Sequence, residues 1–142
     1  MSSATEETVQ DMPSSEEIDF IRSRAEKLLS ERCAGGFSGD DDAMVVTEAF
    51  SPYSIVYVNE AWCELCKLTS HEAVGSSFRM MQGPRTDMQM LRRLMKHVVA
   101  NEPCTGAYLY NYKGDGSLFM NEVQIVSDAS GSNPPTFFAA KL

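Results

Sequence analysis

Two strand-like runs, at about 104–112 and 118–126, meet at Lys113-Gly114-Asp115-Gly116, so an antiparallel hairpin is built into whatever this chain becomes. Asp-Gly between alternating runs is a strong reversal signal, because both residues tolerate the positive φ of tight hairpin turns. Successive strand side chains point to opposite faces. Ala107, Leu109 and Asn111 therefore share one face of the first run, and Phe119, Asn121, Val123 and Ile125 share one face of the second. Each otherwise apolar row carries one asparagine. An amide turned into a core must find partners or cost on the order of 1–3 kcal/mol. Two arrangements meet that demand. The amides bond neighbouring backbone, or their donors and acceptors match the edge of a heterocycle.

A hairpin alone is marginal, so it needs more sheet and a cover. Upstream, Met44-Val45-Val46-Thr47 and Ile55-Val56-Tyr57-Val58 read as two strands around the turn Ser51-Pro52-Tyr53-Ser54. Asn59 is placed to cap a short helix through Cys66, and a second short helix is expected over 70–74. A longer helix starts at Thr86 or Asp87, carries Leu91, Leu94, Met95, Val98 and Val99 as one stripe, and stops at Asn101. Ala129 to Pro135 reads as a loop, and Thr136 to Leu142 as a last strand. Two strands, then helices, then three strands joined by short connections predict an α+β domain over 43–142. Its core is a five-stranded antiparallel sheet with helices on one face. Sheet and helices enclose a concave space, a usual place for a small ligand.

Ahead of this domain, residues 1–15 read as a disordered acidic tail and 16–42 as a helix and linker. Ser14 and Glu17 have capping-box spacing. Ile18, Ile21, Ala25, Leu28 and Leu29 then recur at helical intervals, which predicts an amphipathic helix over about 16–31. Such a helix packs outside the main domain or against a partner or second copy. The run Asp40-Asp41-Asp42 lacks the spaced ligands of a calcium loop and reads as solvated.

The net charge of −8 argues against nucleic acid, whose binding rests on attraction to phosphates, and against anionic membrane surfaces. No apolar run has the length of a membrane span, and residues 1–12 do not resemble a signal peptide. A cytoplasmic or nuclear location is expected, with Cys33, Cys63, Cys66 and Cys104 as reduced thiols. Cys63-Glu64-Leu65-Cys66 has CxxC spacing, but no second pair completes a zinc site, so small buried side chains are the reading. No serine-nucleophile, paired-carboxylate or P-loop motif is present, and no catalytic role is expected. The remaining chemistry lies in Gly75-Ser76-Ser77-Phe78-Arg79-Met80-Met81-Gln82-Gly83-Pro84, where an arginine can hold a phosphate and a glutamine can bond a ring carbonyl.

On these residues, the stretch from Met44 to Leu142 resembles the LOV subgroup of PAS domains. LOV domains carry GxNCRFLQGPxTD. Here residues 75–87 read Gly-Ser-Ser-Phe-Arg-Met-Met-Gln-Gly-Pro-Arg-Thr-Asp. They also carry NYxxDGxxFxN on the hairpin, which residues 111–121 match in full. The resemblance implies FMN as ligand. Arg79 would pair with its phosphate, and Gln82, Asn111 and Asn121 would bond the polar edges of its ring. Thr47, Val123 and Ile125 would line the ring pocket.

The departures from the family pattern are specific. Phe78 stands at the photoactive cysteine and Ser77 at the adjacent asparagine. Leu142 stands at the signalling glutamine of the last strand. A second family arginine falls at Met95, with Arg92 and Arg93 close by. The resemblance thus implies a sensory domain that binds FMN without a cysteinyl adduct and reads light or redox state through flavin reduction. The alternative is a cofactor-free interaction module. The PAS domain of eag-type potassium channels is similar in Cys63-Glu64-Leu65-Cys66 and Gly83-Pro84-Arg85-Thr86. A homodimer or a partner protein would then meet the N-terminal helix or the outer sheet face.

Overall fold

The computed structural model describes residues 13–102, 105–128 and 137–142. Helix α1 spans Ser15–Arg32, strands β1 and β2 span Met44–Glu48 and Ile55–Val58, and helices α2 and α3 span Glu60–Cys66 and Ser70–Ala73. A single 3₁₀ turn, Phe78–Met81, leads to helix α4, Met88–Val99. Strands β3, β4 and β5 span Thr105–Tyr112, Leu118–Ser127 and Phe137–Lys141. The tail expected at 1–15 lies outside the described residues as far as residue 12. So do Cys104, Thr136 and the loop expected at 129–135.

The five strands form one antiparallel sheet in the order β2-β1-β5-β4-β3. The two ends of the domain therefore meet at its centre, where β1 lies beside β5. Strand alternation divides the sheet into two cores. Val45, Ile125, Phe138 and Ala140 face inward, onto Trp62 and Cys66 of α2, Ala73 of α3, and Leu94 and Val98 of α4. Their neighbours Met44, Val46, Val126, Phe137 and Ala139 face outward.

Helix α1 covers that outward face. The Ser14 hydroxyl oxygen accepts the Glu17 N–H at 3.1 Å and donates to the Glu17 carboxylate at 3.2 Å, so the N-cap half of the expected capping box forms, while the carboxylate meets the hydroxyl rather than the Ser14 N–H. Ala25, Leu28 and Leu29 are buried against the sheet. Burying each leucine stabilises by about 1.5–3 kcal/mol. Arg24 pairs with Asp128 at 3.2 Å, and the Arg32 guanidinium donates to the Ser127 carbonyl at 3.1 Å. Of the two expectations for α1, packing outside the main domain or against a partner, the first is what the structure has: the apolar stripe of α1 and the outer face of β1 and β5 cover one another within this chain.

Three local devices hold the inner layer in place. The Asn59 side-chain oxygen accepts from Trp62 N–H and from Met44 N–H, both at 2.9 Å, while its amide donates to the Asp42 carbonyl at 2.8 Å. One side chain therefore caps α2 and ties it to the start of β1. Gly114 donates its N–H to the Cys66 carbonyl at 2.7 Å, and a Cβ at Gly114 would overlap the Lys67 carbonyl. That close approach docks the β3–β4 turn on the end of α2. The Asp87 carboxylate caps α4 by accepting from Gln89 and Met90 N–H at 3.1 and 3.0 Å.

Two details of α4 differ from the sequence expectation. Val99 is 59% exposed, because one residue beyond Val98 lies about 100° around the helix from the buried stripe. Thr86 does not open the helix. Its hydroxyl donates to the Tyr110 carbonyl at 2.7 Å and accepts the Gly83 N–H at 3.1 Å.

Candidate functional site

The site lies between the inner sheet face, the 3₁₀ turn and α4. The turn exists because Ser77 caps it, its hydroxyl oxygen accepting the Arg79 N–H at 3.3 Å. The hairpin fixes the segment just after the turn. The Tyr112 hydroxyl accepts the Arg85 N–H at 3.1 Å, and its ring lies so close to Gly83 that a Cβ there would overlap it. The loop motif and the hairpin motif, far apart in sequence, are therefore one structure. Tyr112 and Thr86 hold the turn at a fixed height over the sheet.

Two adjoining compartments result. The outer one has a volume of about 340 Å³ and is bounded by Val45 and Thr47 of β1, by Phe138 of β5, by Ser77, Phe78, Arg79 and Gln82 of the turn, and by Met88, Leu91, Arg92 and Met95 of α4. The inner one is about 40 Å³ and is bounded by Leu109, Asn111, Asn121, Val123, Met81 and Leu142. Phe78, Gln82, Leu91, Met95 and Ile125 line both. Phe78 is the only aromatic side chain in that shared wall.

Every residue that the LOV resemblance assigns to the ligand, with Phe78 and Leu142, borders one of these compartments. Thr47 and Arg79 border the outer compartment; Asn111, Asn121, Val123 and Leu142 border the inner; Phe78, Gln82 and Ile125 border both. The two asparagines are buried and bonded to each other. Asn121 Nδ2 donates to Asn111 Oδ1 at 3.0 Å, and Asn111 Nδ2 donates to the Met81 carbonyl at 3.1 Å. The Asn121 side-chain oxygen and one N–H of each amide are left without a protein partner among the described residues.

Arg79 and Arg92 both border the outer compartment and are exposed. Neither side chain has an ion pair or hydrogen bond among the described residues. Of the two arginines near the second family position, Arg92 is at the site and Arg93 is not. The helical period carries the reason. Met88, Leu91, Arg92 and Met95 fall at i, i+3, i+4 and i+7, on one face of α4. Sequence reasoning noted Arg92 only as a neighbour of the second family position, and the α4 face was the signal that separates it from Arg93; Thr86 and Tyr112 were given no place at the site.

Other chemistries find little footing. Burial pushes the Cys66 thiol up to about 12, which leaves it neutral and unlike a redox thiolate. Cys33, Cys63 and Cys66 border neither compartment. Among the described residues, no cluster of three or more His, Cys, Asp or Glu side chains can hold a metal ion, and no helix is long and apolar enough to cross a membrane.

Comparison with known proteins agrees with this geometry. The LOV domain of the Erythrobacter litoralis EL346 blue-light activated histidine kinase superposes with a TM-score of 0.65 at 22% identity, covering 71% of this chain and 94% of that one. A Light-Oxygen-Voltage domain structure concerning a flavin analogue gives 0.63 at 26% identity, covering 72% and 76%. These likenesses show the α+β PAS fold. In sequence, the bacterioopsin transcriptional activator of Halobacterium salinarum is 28% identical over 123 residues, 85% of this chain. The blue-light-activated histidine kinase 1 of Erythrobacter litoralis is 38% identical over 71 residues, 50% of this chain. The chain spans only 17% and 19% of those two relatives. The family model for the PAS domain matches residues 41–138, which takes in β1 to β4, α4 and the start of β5, and the chain belongs to the PAS domain family.

Proposed function

We propose that this PAS domain is a sensory signalling module that holds FMN noncovalently in the two compartments, in a binding rather than a catalytic role. The observation that carries this reading is the pair of free guanidinium groups, Arg79 and Arg92, on an apolar cavity that adjoins two inward amides. The donor chemistry fits the cofactor. Two planar guanidinium groups suit a phosphate, which each can grip with two parallel N–H bonds. Gln82 and the open donors and acceptor of Asn111 and Asn121 suit the polar edge of a heterocycle. The outer volume lies in the range of small-molecule sites, roughly 300–1,000 Å³. The inner volume is that of about one water molecule, so the ring reaches the asparagines only when Phe78 yields.

When bound, FMN supplies absorption of blue light and acceptance of electrons. The protein's part is to bind, orient and shield. Arg79 and Arg92 fix the phosphate, the three side-chain amides fix the ring's rotation, and Leu91, Met95 and Ile125 exclude water. Position 78 offers no sulfur, so no carbon–sulfur bond forms from it, and sensing rests on the flavin's redox state. Blue-light relatives of this chain are consistent with such a role.

One observation favours a second reading. The Asn121–Asn111–Met81 chain of hydrogen bonds already satisfies much of the inner polar surface without a ligand. A cofactor-free PAS interaction module needs no more than that. Titration separates the two. Purified protein should absorb as a flavoprotein or quench added FMN fluorescence on binding. Replacing Arg79 and Arg92 by alanine should weaken FMN by roughly tenfold or more and leave riboflavin, which lacks the phosphate, nearly unaffected. A protein that stays colourless and ignores excess FMN would establish the cofactor-free module.

A further inference from the structure

We infer that Phe78 is the specificity-determining partition of this site: it decides which ligands reach the asparagine pair. The inference rests on the reading that the outer compartment binds an anionic, ring-bearing ligand. Its ground is the shared wall. Phe78, Gln82, Leu91, Met95 and Ile125 line both compartments, of which the outer holds about 340 Å³ and the inner about 40 Å³. Ile125 is 5% exposed on β4 and is held at χ1 by its branch. Leu91 and Met95 are fixed to a regular helix. Phe78 instead stands on one 3₁₀ turn, held by Ser77 at 3.2 Å to Met80 N–H and by Arg79 at 3.1 Å to Gln82 N–H. The bulkiest member of the wall thus stands on the shortest of the elements that build it.

The consequence is a size threshold. A one-ring anion has room in the outer compartment, with its charge at Arg79 and Arg92, and Phe78 stays where it is. A three-ring flavin docks its phosphate at the same arginines but must push the phenyl group aside to bring its polar edge to Asn111 and Asn121. Forcing a filled position open costs affinity and slows entry. Phe78 therefore acts on large rings and is silent toward small ones.

The test compares the wild-type chain with Phe78→Ala and the milder Phe78→Leu, using FMN and the one-ring probe 4-nitrophenyl phosphate. FMN should bind Phe78→Ala roughly tenfold or more tightly than wild type, and associate faster, with Phe78→Leu between them. Affinity for 4-nitrophenyl phosphate should change by less than about twofold across the series. The Asn111 and Asn121 side-chain amide resonances should shift with FMN and not with the small probe. FMN bound by Phe78→Ala alone would support the partition while removing flavin from the native protein. Equal FMN affinity in all three would overturn the partition and leave the flavin reading intact. FMN bound by none of the three would overturn both. Phe78→Leu keeps the test decisive if the alanine variant folds poorly.

Discussion

On the outer face of the sheet, Met44, Val46, Val126, Phe137 and Ala139 meet Ala25, Leu28 and Leu29 of α1, each 3% exposed or less. On the inner face, the alternate residues of the same strands surround two compartments and bury Thr47, Asn111 and Asn121. Both faces come from one set of strands, yet only one is filled with hydrocarbon. The outer layer follows the rule that interiors pack to crystal-like density. The inner layer departs from it where polar atoms and space are kept together, which is the mark of a site rather than of a weak core.

Substitutions can break that contrast or sharpen it. The largest effect is expected at Leu28→Ala, which leaves a cavity between α1 and the sheet. Stability in urea should fall by about 2–5 kcal/mol, with the FMN dissociation constant of the folded fraction within about twofold of wild type. A matching loss of affinity would show that the two layers are not independent. Asn121→Ala should cost less, about 1–3 kcal/mol, because Asn111 Oδ1 loses its donor in a buried place. Combining Asn111→Leu with Asn121→Leu should recover none of that loss, because it also removes the donor that satisfies the Met81 carbonyl. A double variant as stable as wild type would show that the asparagine pair contributes nothing to the fold. Ser14→Ala should be mildest, about 0.5–1 kcal/mol by thermal melting, because it removes an exposed cap at the rim of the outer layer.

The architecture was legible because its signals are local. Alternation in 104–112 and 118–126, the turn at Gly114 and Gly116, and the caps Ser14, Asn59 and Asp87 each act within a few residues. The site was legible in its membership, since a motif match names residues one by one. It was not legible in its shape. Nothing local to Phe78 says that its ring separates two spaces, because that depends on Leu91, Met95 and Ile125 arriving from other elements. Nor does the pattern of Asn111 and Asn121 reveal that they bond each other, which depends on the register pairing Leu109 with Asn121 and Asn111 with Phe119. The position of α1 was left open for a similar reason. Its stripe was plain, but the surface it meets is created only when β5 inserts beside β1.

Strand β5 is one backbone thick, and its residues face alternate worlds. Phe138 and Ala140 pack into the inner core, while Phe137 and Ala139 pack into the core beneath the helix. An exchange at an even-numbered position of this strand therefore alters the inner layer, and one at an odd-numbered position alters the seat of Leu28 and Leu29, so parity alone decides which layer a substitution reaches.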